Sequence, residues 1–243
     1  MDKRINKYLS ESGYCSRREA DRLIEQKKVE INGELAEIGS KVKSSDTVTV
    51  HGKTIVNNQD FIYLAFNKPV GITSTTDQSI KGNIVDYINH DQRIFHVGRL
   101  DKDSEGLILM TNDGDIVNEI LRSENNHEKE YLVTVDKDIT QDFLEKMSKG
   151  VPILNTVTKT CKVRKINSRT FSIILTEGLN RQIRRMCDYF NYSVQSLKRV
   201  RIMHIHLDVP IGTYRELSKK ELKILFNTIG RNANDWINPL SMT

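Results

Sequence analysis

The 243 residues carry 37 Lys and Arg against 32 Asp and Glu, a formal charge of +5, with 37% hydrophobic and 28% charged residues. These values suit a soluble globular protein of one or two domains, and no apolar run approaches the roughly 18 residues that a membrane span needs. Met1-Asp2-Lys3-Arg4 leads into no apolar stretch, so no secretory signal is expected, and Cys15, Cys161 and Cys187, odd in number and far apart, read as free thiols of a reducing cytoplasm rather than as a disulfide framework or zinc site.

Taken in order, the chain opens with Ile5, Tyr8 and Leu9 at helical spacing, ended by Gly13. Ser16-Arg17-Arg18-Glu19 has the form of a capping box and predicts a second helix to about Gln26, with Ala20, Leu23 and Ile24 as its apolar face. Arg18 and Arg22 lie one turn apart on another face, where ion pairs with Asp21, Glu19 or Glu25 are an alternative to a binding role. Asn32-Gly33 predicts a tight hairpin turn after Val29-Glu30-Ile31, and short alternating runs end at Val48-Thr49-Val50. Asn57-Asn58-Gln59-Asp60 is polar and aperiodic, as expected of a linker. The boundaries so implied are a module over 1–57, a larger domain over 61–228 and a frayed tail over 229–243.

The larger domain begins with a strand over Phe61–Phe66, then Asn67-Lys68-Pro69-Val70-Gly71, where Pro69 marks a strand end or bulge. Lys68 reads as a loop-shaping residue rather than a catalyst. A polar loop through Gly82 leads to a short helix, Ile84 to Ile88, capped by Asn83. Gly98-Arg99-Leu100-Asp101-Lys102-Asp103-Ser104-Glu105-Gly106 then runs into the apolar strand Leu107-Ile108-Leu109-Met110. On its residues alone this stretch is either a polar turn with a solvated Asp or a carboxylate held at a reaction centre. Further helices are predicted over Ile116–Leu121, from a Thr140 cap to Gly150, beyond Gln182, and over Leu222–Asn227 after the capping-box form Ser218-Lys219-Lys220-Glu221. Strands are predicted over Lys129–Val135, Thr158–Val163, Thr170–Leu175 and Val200–Leu207. Many strands with few helices indicate an α+β domain with a largely antiparallel, mixed sheet. Between Lys159 and Arg201 eleven Lys and Arg face only Glu177 and Asp188, a local charge of +9 that points to a phosphate-binding surface.

Gly98-Arg99-Leu100-Asp101 resembles the signature of the pseudouridine synthases that modify ribosomal RNA. Lys68-Pro69-Val70-Gly71, Lys129-Glu130-Tyr131 and Arg181-Gln182-Ile183-Arg184-Arg185-Met186 resemble further motifs of that family, and the first 57 residues resemble an S4 RNA-binding domain. The layout is similar to the bacterial branch holding the 16S rRNA enzyme and the B, E and F enzymes of 23S rRNA. Val151-Pro152-Ile153-Leu154 and Leu197-Lys198-Arg199-Val200-Arg201 are most like the F type. Leu179 stands where the wider branch often has a basic residue, a difference that bears on specificity.

The resemblance implies isomerisation of uridine to pseudouridine in 23S rRNA, with 16S rRNA or a tRNA stem-loop as alternative targets and a non-catalytic ribosome-assembly factor as the alternative class. Asp101 is then the nucleophile, Arg184 the cation that keeps a buried Asp101 ionised, and Tyr131 the ring that stacks on uracil and whose hydroxyl helps remove the C5 proton. Whether Asp101 attacks the sugar or the base, or acts as a base on the ribose, stays open. Because a stacked uridine must be flipped out, Arg99 is expected to enter the vacated space. Leu100, Lys102, Arg181, Gln182 and Ile183 are expected near the pocket, and Arg17, Arg18 and Arg22 on RNA. No cofactor or metal is implied, since the reaction is redox-neutral, and His204 and His206 read as structural. The expected setting is a cytoplasmic monomer acting on large-subunit rRNA, free or in an assembling particle, with tRNA as a further candidate.

Overall fold

Local signals build the N-terminal module. The computed structural model describes residues 2–56 and 60–232. Helices Ile5–Glu11 and Arg17–Glu25 pack Ile5, Leu9, Ala20, Leu23 and Ile24 onto a small sheet. Its strands run in the order Glu34–Leu35, Val29–Ile31, Val48–Val50, Lys53–Ile55. Ser16 accepts from the Glu19 amide at 3.1 Å, but the Glu19 carboxylate turns to Arg22 at 3.2 Å, so only half of the expected box forms. Asn32 and Gly33 both have positive φ, +54° and +85°, the backbone a type I′ hairpin turn requires. The linker residues 57–59 lie outside the described residues.

The larger region is a nine-stranded sheet. Its main path runs Lys162–Lys165, Thr170–Leu175, Lys129–Val135, Val194–Ile202, Glu105–Thr111, Tyr63–Lys68, Tyr214–Glu216. Every pairing on it is antiparallel except one: Lys198 and Arg199 run parallel to Glu105 and Gly106. That parallel pair joins two antiparallel halves. On one half, Phe171, Ile173 and Val133 pack under helices Gln141–Ser148 and Gln182–Tyr189. The other half carries a core on each face. Ala65, Leu107 and Leu109 pack against helices Asp115–Leu121 and Lys219–Thr228, and Leu64, Phe66, Ile108 and Met110 pack against helix Ile84–Ile88.

Two predicted strands differ. Val200–Leu207 is not continuous: the chain turns at Met203, with φ +53°, and returns as Ile205–His206 against Arg201–Ile202. Thr158–Val163 is broken because residues 158–161 fold onto the preceding helix and turn, with the Thr158 hydroxyl accepting from Val151 N at 2.9 Å and Cys161 N donating to Ser148 O at 2.9 Å. Four short strands of the larger region, Phe95–Val97, Pro152–Ile153, Thr156–Val157 and Tyr214–Glu216, have no counterpart among the predicted ones. Of the tail expected to fray, Arg231 is tied to Glu119 at 2.8 Å, and 233–243 lie outside the described residues. No described helix is long and apolar enough to cross a membrane.

Candidate active site

The Asp101 turn is built from three directions. The Gly98 carbonyl meets His96 Nδ1 at 2.7 Å, and Leu100 is buried against Phe66 and Ile108. From the loop after Pro69, the Ser74 hydroxyl donates to Leu100 O at 2.8 Å, and Gly71 N donates to Lys102 O at 2.7 Å. Fully buried Lys68 shapes that loop, its ammonium donating to the carbonyls of Pro69 and Ile72, each at 2.9 Å. Burial pulls Lys68 down to about 8, although Asp101 and Asp103 pull the other way. The third support is helix Gln182–Tyr189. Arg184 on its first turn donates to Asp103 O at 2.9 Å and to the Ser104 hydroxyl at 3.1 Å.

The carboxylate arrangement corrects the expectation for Arg184. Its guanidinium faces Asp103, at 3.5 Å, rather than Asp101. Arg181 is the cation within ion-pair distance of Asp101, at 3.7 Å, and it holds both oxygens of Asp103 at 3.1 Å. The cause is placement. Arg184 lies beneath the turn and meets its backbone, whereas Arg181, in left-handed conformation at the helix N-terminus, reaches over it. The bond from Arg181 holds Asp103 below the usual carboxylate range. Asp101 is not buried: its side chain is 33% exposed, which leaves it open to a substrate and keeps part of its hydration.

Tyr131 sits half-buried on strand Lys129–Val135, packed against the clusters of both halves, including that of Leu100. It pairs with Arg199, Arg199 with Gly106, and Gly106 with Lys68, so these four form one row across the sheet on the face that carries the Asp101 turn. The Arg199 guanidinium lies 6.0 Å from the Tyr131 ring centre.

Of the residues expected near RNA, Arg99, Lys102, Arg181, Arg17, Arg18 and Arg22 are exposed. Leu100, Gln182 and Ile183 are not. Leu100 and Ile183 fill core positions, and Gln182 bonds back to Leu179 N at 3.0 Å and Glu177 at 2.8 Å, closing the loop ahead of its helix. They support the site from beneath. Arg22 pairs with Glu19, and Arg17 lies 3.9 Å from Asp115. Arg18 has no ion pair among the described residues. The basic block is partly internal: Arg199 is buried, and Arg201 is neutralised by Glu128 at 2.9 Å and Glu130 at 3.0 Å.

Residues 62–189 match the family model for RNA pseudouridylate synthase, and residues 3–48 match the S4 domain. The chain is 56% identical over 235 residues to the dual-specificity RNA pseudouridine synthase RluF of Escherichia coli K12, covering 96% of this chain and 81% of that protein. It belongs to the RNA pseudouridine synthase family. It is also 34% identical to the ribosomal large subunit pseudouridine synthase B of Bacillus subtilis, over 91% of this chain and 95% of that one. A crystal structure of a pseudouridylate synthase superposes with a TM-score of 0.68 at 26% identity, over 91% of this chain and 99% of the other.

As a pseudouridine synthase the chain is an α+β RNA-modifying isomerase, an S4 domain followed by a catalytic domain, and its substrate is RNA. Lys68 shapes its loop as the sequence indicates; what the sequence reading missed in the catalytic domain is a pair of buried cations, Lys129 and Arg199. The available signal was periodicity. Lys129 stands two residues before Tyr131 on the same strand and so shares its face.

Proposed function

We propose that this synthase isomerises uridine to pseudouridine in 23S rRNA, as a monomer in the cytoplasm, with Asp101 as nucleophile, Tyr131 stacked on the flipped uracil and Arg99 in the space the base leaves. The observation that carries the reading is the half-exposed Asp101 carboxylate on a turn braced by Arg181 and Arg184, on the same face as Tyr131. Breaking the bond from C1′ to N1 leaves the sugar electron-poor, and an ionised carboxylate there meets that charge. Arg184 fixes the turn and Arg181 balances its two acids. Exposed Lys102 and Arg181 are the candidates to hold phosphates, and the module over 1–57 adds Arg18 as a further candidate RNA contact beside a catalytic unit over 61–228. The dual specificity named for the Escherichia coli relative supports a second RNA target here, for which a tRNA stem-loop is the candidate. Asp101→Asn keeps shape and removes charge. Turnover on 23S rRNA should vanish while RNA affinity falls less than about tenfold, because phosphate contacts dominate binding. Pseudouridine mapping in 23S, 16S and transfer RNA, with and without the gene, identifies the target. Near wild-type turnover by Asp101→Asn, or unchanged 23S rRNA, would overturn the reading.

A further inference from the structure

Two buried cations beside Tyr131 have no anion of their own. Lys129 is 8% exposed, and its ammonium reaches a single acceptor, the carbonyl of His127 at 3.3 Å. Arg199 is 3% exposed. Its Nε donates to Leu107 O at 2.6 Å, while Nη2 meets no acceptor. Neither has a carboxylate within ion-pair distance among the described residues, and burial, with the Arg199 guanidinium adding to it, raises the cost of charging Lys129. Arg201, on the same strand, shows the contrast, since two glutamates neutralise it. Burying a charge without a partner is costly, and a fold that needed these side chains only for packing could use Met or Leu. The missing partner is an anion that arrives from outside.

We propose that Lys129 and Arg199 hold the uracil oxygens on which negative charge develops as the glycosidic bond breaks. This rests on the reading of Asp101 and Tyr131 given above. Cleavage sends the electron pair of the C1′–N1 bond into the base, spreading charge from N1 onto O2 and O4, while the Asp101 carboxylate meets the electron-poor C1′. When C5 bonds to C1′ the pair returns to the new bond, the link to Asp101 breaks, C5 gives up its proton and N1 gains one. Two buried, preorganised donors beside the stacking ring act where the charge grows, with no reorganisation at the moment of reaction. A phosphate fits less well. Its charge is the same before and after cleavage, it stays at the solvent rim of a flipped nucleotide, and exposed Lys102 and Arg181 are available at that rim.

The test compares leaving groups. Fluorine at C5 withdraws electrons and makes the base a better leaving group, so it needs less help from the cations. Lys129→Met and Arg199→Met should leave RNA affinity unchanged and lower the saturating single-turnover rate on uridine RNA by about 100-fold, as for loss of one oxyanion donor. On the matching 5-fluorouridine RNA the loss should be much smaller. Lys129→Met should melt no lower than wild type. Should Arg199→Met fail to fold, Arg199→Lys and Lys129→Met make the same comparison. Equal losses on both RNAs, or a loss carried by affinity, would place the two cations on a phosphate or in packing and overturn the proposal. Wild type and Asp101→Asn run alongside: turnover by the first and none by the second keeps the underlying reading intact whatever these variants do.

Discussion

At Tyr131 one side chain is asked for a ring and a hydroxyl, and the two can be separated. Tyr131→Phe keeps the ring between the two cores. If the hydroxyl takes the C5 proton, uridine turnover should fail while a 5-fluorouridine RNA is still rearranged at near wild-type rate; equal loss on both, read by product analysis, would assign the hydroxyl to positioning. Arg184 makes a different kind of contact. Its bonds to Asp103 O and Ser104 hold the turn, so Arg184→Ala should lower stability by about 1–3 kcal/mol by leaving acceptors unmet, and activity with it. In denaturant melts the loss should couple to Asp103→Ala by at least about 0.5 kcal/mol and add independently with Asp101→Ala. The reverse pattern would restore Asp101 as its partner. Asp101, Tyr131 and Arg184 could be named as candidates because each lies in a contiguous motif. The partner of Arg184 was not legible, since which of two nearby acids it meets depends on how a helix and a turn dock across some 80 positions of chain.

Elements with their own punctuation were readable in advance. Asn32-Gly33 fixed a turn through positive φ, Asn83, Thr140 and Ser218 each fixed a helix start through a local bond, and Ser218 with Glu221 forms the full capping box. The strand over Val194–Ile202 departs from the expected Val200–Leu207 at both ends: Val194–Arg199 carried no strand assignment, and it stops early because Met203 takes positive φ with no glycine to announce it. The least legible element was the parallel seam, where strands far apart in sequence meet. Gly106 is its tightest point: at φ +108°, a Cβ there would come 2.2 Å from Arg199 O and 2.7 Å from Arg199 N, both main-chain atoms that cannot swing aside. Gly106→Ala should cost about 2–4 kcal/mol, combining backbone strain with a forced opening of the seam. Chemical denaturation measures it, and a change under about 0.5 kcal/mol would show that the seam is looser than described.

At the scale of the molecule, the N-terminal module is more than tethered. Lys7 reaches Asp115 of the catalytic domain at 2.7 Å, with Arg17 beside it at 3.9 Å. These are half-exposed pairs worth at most about 1 kcal/mol each, so the module rests in place without being locked. Removing residues 1–57 should leave a folded catalytic domain. Half-saturation should move to higher RNA concentration, and the salt dependence should become shallower because fewer phosphates are neutralised. Arg18→Glu with Arg22→Glu should mimic this in single-turnover rates at two salt concentrations. A lowered saturating rate at unchanged half-saturation would instead make the module part of the active site. The seam has a consequence in time as well. Arg199 must find Gly106 after most of the catalytic domain has been made, and the strand Tyr214–Glu216, which pairs with Tyr63–Lys68, comes from later still. Contacts of such long separation form slowly. The site on the seam should therefore be completed late, together with the long-range strand pairs on either side of it, so a newly synthesised chain gains activity only when nearly all of the catalytic domain is in place.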